Sequence, residues 1–214
     1  MLHNSGIADL NLKAVLRIND EMRIELMAGQ YLDVREAGER EHSVERSLRI
    51  ARYKSGKYTI ERPLHLGAVM ARPEADSHSA LLNTLSAYGL PLGEAFQLRD
   101  DLLGIFGNPG ITGKPAGDDL REGKRTVLMA MTFEAASDSA RAELVAHLGK
   151  PDLTPEKVES LRSVIIETGA VDQVEKLIDR LAEESSIAAN SAAIDAQARP
   201  FLLALAETAI RRSH

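Results

Sequence analysis

The chain has 214 residues, 44% hydrophobic and 27% charged, ordinary values for a soluble globular protein with one substantial core, expected as a single domain over 1–214. The net charge of −6 excludes a general nucleic-acid binder, and the absence of cysteine excludes disulfides, thiolate zinc sites and a cysteine nucleophile. No apolar run reaches the roughly 18 residues a membrane span needs and no secretory h-region opens the chain, so the expectation is a cytoplasmic protein with no integral membrane segment.

Aromatic residues are scarce at 4%, which favours helix over a β-sandwich, and helical periodicity dominates. From Ala8 to about Glu36, Leu12, Val15, Leu16, Leu26 and Met27 fall at helical spacings, interleaved with charge. Ser43 is a good N-cap for a second helix running to about Tyr53 and stopping near Gly56. A third helix starts near Thr59, with Pro63 in its opening turn. Ser77 to Phe106 reads as one long helix, bent where Pro91 removes a backbone donor. Residues 107 to 124, rich in Gly and Pro, read as the one long loop. Helices resume over about 125–136, 138–148, 155–168, 171–190 and 198–212. The fold class is therefore all-α.

Three stretches carry candidate chemistry. Asp100 and Asp101 stand side by side within a largely apolar helix, although adjacent carboxylates repel and helix interiors do not favour Asp. They read either as a solvated polar stripe or as carboxylates facing a hard divalent cation such as Mg²⁺. In the following loop Gly107, Gly110, Gly113 and Gly117 let the backbone approach a ligand, and Lys114 offers a point charge suited to phosphate. This is not a Walker A loop, and Asp118, Asp119, Arg121, Glu122, Lys124 and Arg125 equally fit a salt-bridged start to a helix. "RSLRIARYKSGKYT", residues 46–59, carries Arg46, Arg49, Arg52, Lys54 and Lys57 with no acid between them. That run reads as a local anion site or as a solvated stripe, part of it complementing a helix C-terminus.

Together, "FQLRDDLLGIFG" and "TGKPAGDDLREGKRT", preceded by "GQYLD" and "YKSGK", resemble the trans-isoprenyl diphosphate synthases, or polyprenyl synthetases. The resemblance implies an isoprenoid synthase type helical bundle that condenses an allylic prenyl diphosphate with isopentenyl diphosphate, with Mg²⁺ as cofactor and a homodimer as the assembly. Asp100 would ligate Mg²⁺ as the first residue of the second Asp-rich motif, with Asp101 supporting it directly or through water. Gln97 would face the developing allylic cation, and Phe96 would pack beside the isoprenoid. Lys54 and Ser55 stand where the family usually has Lys-Thr, and would bind the allylic diphosphate and stabilise the cation. Lys114 would bind the leaving diphosphate, with Lys124 nearby and Asp119 supporting them, while Gln30 and Asp33 would line the cavity.

Two departures from the family pattern stand out. The second motif is usually D-D-x-x-D, and here its fifth position is Gly104. The family's first Asp-rich motif has no counterpart in this sequence, so the chain is expected to be an N-terminally truncated bundle, the C-terminal portion of such a synthase. With one acidic helix missing, most of the metal binding and charge stabilisation is expected to be lost, leaving the chain weakly active or inactive alone. A non-catalytic partner subunit of a heteromeric synthase is the alternative. A terpene cyclase is disfavoured, because "RDDLLGIFG" lacks the Ser and Glu of N-D-x-x-S-x-x-x-E.

Overall fold

A computed structural model describes residues 9–39, 42–71, 79–108, 110 and 117–211. The described residues form helices α1 (Asp9–Ala37), α2 (Val44–Ala51), a π-helical segment (Arg52–Glu61), α3 (Arg62–Ala71), α4 (Ala80–Phe106), α5 (Asp118–Glu122), α6 (Val127–Ala135), α7 (Asp138–His147), α8 (Pro155–Glu167), α9 (Ala170–Ala189) and α10 (Arg199–Ile210). No strand occurs among them.

Local sequence sets several of these boundaries. Ser43, Ser79, Thr126, Ser137 and Thr154 each cap a helix by accepting a hydrogen bond from the backbone N–H three residues on. Pro91 lies inside α4 without ending it, and Pro63 falls in the first turn of α3.

Helix α4 is the axis of the fold. Its Tyr88, Leu92, Ala95, Leu98, Leu102 and Ile105 recur at helical spacing and are buried, facing Ala170, Val174, Ile178 and Leu181 of α9 in the main core. Helix α6 is apolar almost all round and buried accordingly. A smaller core joins Val15 and Ile18 of α1 to Val69, Leu82, Leu85 and Ile194.

Two boundaries differ from the sequence expectation. The chain does not stop at Gly56 and restart near Thr59. It winds on from α2 into α3 through the wider π turns, and Arg62 N donates to Lys57 O five residues back. Packing overrides the local glycine signal here, because Gly56 lies against Gly93 of α4. The expected loop over 107–124 also contains α5, bounded by Gly117 and Gly123 in the left-handed region at φ +70° and +67°.

Candidate functional site

The close approach of α4 to the π segment positions the site. A Cβ on Gly93 would fall 2.9 Å from Gly56 N and 3.1 Å from Ser55 O, so only glycine allows this packing. One turn along α4 from Gly93, Gln97 is thereby placed beside Ser55. Ser55 Oγ donates to Gln97 Oε1 (2.5 Å), and Gln97 Nε2 donates to Asp101 Oδ1 (2.9 Å). Lys124 Nζ completes the chain, donating to Asp101 Oδ1 (2.9 Å) and Asp119 Oδ2 (3.2 Å). Beside Ser55 in the same segment, Lys54 donates through Nζ to Asp33 Oδ2 of α1 (2.5 Å). Asp33, Lys54, Gln97, Asp101, Lys124 and Arg125 all line one small cavity of about 50 Å³.

Lys124 reaches this point because Gly123 ends α5 in a left-handed turn, and Lys124 N folds back onto Asp119 O (3.0 Å). Asp119 lies in the notch left by Gly104, where a Cβ would fall 2.9 Å from Asp119 Oδ1 and closer still to Oδ2. The space beside the fifth position of the D-D-x-x-D pattern is thus filled by a carboxylate from elsewhere in the chain.

Burial pushes the Asp101 carboxyl up to about 6 against the pull of Lys124, so it is ionised at neutral pH. Burial also opposes the charge on Lys124, but Asp101 and Asp119 outweigh it and hold the ammonium well above the usual lysine range. The three groups form a buried carboxylate–ammonium–carboxylate cluster.

Asp100 is half-buried and makes no ion pair among the described residues. A half-buried carboxylate without a counter-ion suits a hard cation, whereas Asp101 Oδ1 is already taken by Gln97 and Lys124. No group of three His, Cys, Asp or Glu that could hold a metal occurs among the described residues, but Mg²⁺ needs only one or two protein carboxylates.

Lys54, Ser55, Gln97, Asp101 and Lys124 are therefore brought together. Phe96 is half-buried against the main core, and Gln30 is exposed on α1 with no side-chain hydrogen bond among the described residues. Lys114 lies outside the described residues.

The basic run over 46–59 is not an open anion site. Arg46 pairs with Glu36 (2.8 Å), Arg49 with Glu45 (2.6 Å), Arg52 with Glu94, and Lys57 with Glu25 (2.8 Å) and Glu61 (3.5 Å). The acids come mostly from α1 and α4, and of the basic residues in this run only Lys54 is among the described residues that line the cavity. Arg62 adds a two-pronged bond to Glu25 (2.7 Å on each oxygen), and against burial Arg62 and Lys57 hold Glu25 below the usual carboxylate range. Sequence reasoning missed the Gly56–Gly93 contact. A glycine within each of two neighbouring helices was the available signal.

Comparison with known proteins follows the same lines. The polyprenyl synthetase family profile matches residues 2–165. A geranylfarnesyl diphosphate synthase of Aeropyrum pernix is 30% identical over 208 residues, covering 97% of this chain and 63% of the relative. A geranylgeranyl diphosphate synthase of Mycobacterium tuberculosis is 32% identical over 210 residues, covering 97% of this chain and 57% of the relative. Among solved structures, the geranylgeranyl pyrophosphate synthase from Corynebacterium glutamicum complexed with isoprenyl diphosphate and magnesium superposes with a TM-score of 0.91 at 41% identity, over 98% of this chain and 58% of that one. The chain thus spans 57 to 63% of the length of these relatives, and its helical bundle is the isoprenoid synthase fold.

Proposed function

Because the chain belongs to the polyprenyl synthetase family, we propose that it serves in Mg²⁺-dependent condensation of an allylic prenyl diphosphate with isopentenyl diphosphate to a longer trans-polyprenyl diphosphate in the cytoplasm. The observation that carries this reading is the hydrogen-bonded chain Ser55–Gln97–Asp101–Lys124, whose last three residues line one cavity with the Lys54–Asp33 pair.

In this reading Lys54 and Lys124 hold diphosphate oxygens, with Lys114 joining them. Asp33 and Asp101 keep the two site lysines oriented until the ligand arrives. Ser55 and Asp101 fix the Gln97 amide from its two ends, so that its oxygen faces developing positive charge at low reorganisation cost. Phe96 and Gln30 take the flanks of the substrate. Asp100 would hold Mg²⁺, with Asp101 in support. When bound, the metal neutralises the diphosphate and makes it a better leaving group.

The sequence has no D-D-x-x-D run, and the chain alone is expected to turn over poorly. The test uses the purified chain with Mg²⁺, farnesyl diphosphate and labelled isopentenyl diphosphate, beside calorimetric binding of farnesyl diphosphate. The expected result is binding weakened roughly tenfold or more by Lys54→Gln or Asp100→Asn, with little labelled product. Turnover matching a full-length relative would refute the impairment. Binding indifferent to both substitutions would refute the site.

An association surface accompanies this reading. Ile24, Met27, Tyr31 and Val34 form an apolar stripe along α1, each between 62 and 75% exposed. The stripe supports a homodimer built on α1, and it equally suits a partner subunit paired with a competent synthase. Light scattering showing a dimer that Tyr31→Glu dissociates would support the first, and co-purification with a full-length synthase the second.

A further inference from the structure

Beyond the prenyl site, a cavity of about 630 Å³ lies between the start of α2 and helices α6 and α7. Arg125, His42, Phe133 and Arg141 line it, with Val145 and Leu148 beside them. The His42 ring stacks on Phe133, with centroids 3.9 Å apart and planes 10° from parallel.

The polar groups here lack partners of the usual kind. Arg125 makes no ion pair among the described residues, and its Nη1 is buried without a hydrogen-bond acceptor. His42 Nδ1 is likewise buried without a partner. Arg141 donates to the Phe133 carbonyl and pairs with no carboxylate among the described residues. By contrast Arg46, Arg52, Arg62 and Arg99 each pair with a glutamate. Glu134, exposed, is the one acid among the described lining residues. A buried guanidinium nitrogen without an acceptor is costly, and such groups in folded proteins point to a ligand or ion.

The local field agrees with the geometry. Burial pushes His42 down to about 4, and Arg125, Arg141 and Arg46 push it the same way. Arg125 and Arg141 line the cavity with this ring, in a chain whose net charge is −6.

We propose that this cavity is a second ligand site, taking a small oxyanion of phosphate size that carries an apolar group. Arg125 and Arg141 hold the oxyanion, with His42 Nδ1–H as a further donor in that tautomer. The apolar group lies against Phe133, Val145 and Leu148. Arg125 also lines the small prenyl-site cavity, so a ligand here sits one side chain away from it without sharing Lys54, Gln97 or Asp101.

Calorimetric titration of the full chain with phenyl phosphate and with inorganic phosphate, in the absence of Mg²⁺, tests this. Phenyl phosphate is expected to bind more tightly than phosphate and to shift the His42 ring resonances. Arg141→Gln is expected to weaken it roughly tenfold, the worth of one charge-assisted hydrogen bond, with Arg141→Lys recovering part of the loss. Lys54→Gln is expected to leave it unchanged. An affinity that survives Arg141→Gln, loss of binding in Lys54→Gln, or His42 resonances that ignore the probe would each overturn the assignment. The His42 readout, made on the unsubstituted protein, decides the matter even where Arg141→Gln folds poorly.

Discussion

Gly93→Ala puts a methyl group where α4 touches the π segment. The new Cβ would lie within 2.9 Å of Gly56 N and 3.1 Å of Ser55 O, and the neighbouring atoms are backbone, which cannot rotate away. Ordinary carbon contacts need about 3.5–4.0 Å, so the helices must separate by more than about half an ångström. Such overpacking costs about 1–3 kcal/mol. Alanine returns about 0.5–1 kcal/mol through its helix propensity. The balance is a net loss of up to about 2.5 kcal/mol, which corresponds to a melting temperature lower by up to roughly 10 °C in a chain of this size. Gly67→Ala is the matched control, because Gly67 lies within α3 with nothing within 4 Å of the added Cβ. It should melt about 1–4 °C higher than the wild type. Scanning calorimetry on the two variants reads the difference directly. Farnesyl diphosphate titration should show weaker binding for Gly93→Ala alone, since Ser55 moves with the backbone. A Gly93→Ala protein as stable as Gly67→Ala would refute this account of the site's geometry.

Other substitutions probe the remaining contacts. Gly104→Asp restores the D-D-x-x-D pattern but drives a second carboxylate into Asp119, so it should lower the melting temperature and leave Mg²⁺ affinity no higher; a stabilised variant with tighter Mg²⁺ binding would contradict this. His42 is held neutral, at about 4 against its ordinary value of 6.5, so between these values the unfolded chain binds the extra proton. That contribution to stability is full above pH 6.5 and fades as pH falls towards 4, and His42→Gln should flatten the melting profile over this window. Arg99 grips Glu175 with two bonds of 2.7 Å and donates to Ile210 O (3.0 Å), tying α4 to α9 and α10. Arg99→Ala should cost about 1–2 kcal/mol and speed amide exchange in α10; unchanged exchange there would count against the clamp.

Much of the fold was legible because its signals are local. The period of α1 and α4, and the Ser43 cap, depend on residues a turn apart. What escaped depends on distant partners. Ser55-Gly56 looks like a helix stop until Gly93 packs on it. The basic run looked unpaired because no acid lies within it: Glu45 and Glu61 flank it, and others are far along the chain, with Arg52 and Glu94 separated by 42 residues. Asp100, Asp101 and Lys124 were picked out by type and spacing, but the placing of Asp119 in the notch at Gly104 needed the turn at Gly123.

The π segment makes one stretch of this protein unusually sensitive to length. Surface loops absorb an inserted or deleted residue by rearranging, whereas Arg52–Glu61 is continuous with helices at both ends. Losing one residue there would turn everything downstream in the rod by roughly a quarter-turn, since the wider π turn holds more residues than the α turn. His65 and Val69, now buried, would swing out of the interior, and the side of α3 that carries Pro63, Gly67 and Met70 would swing in. Deletion scanning should therefore find its sharpest intolerance between residues 52 and 61, in a half-exposed stretch with few large apolar side chains.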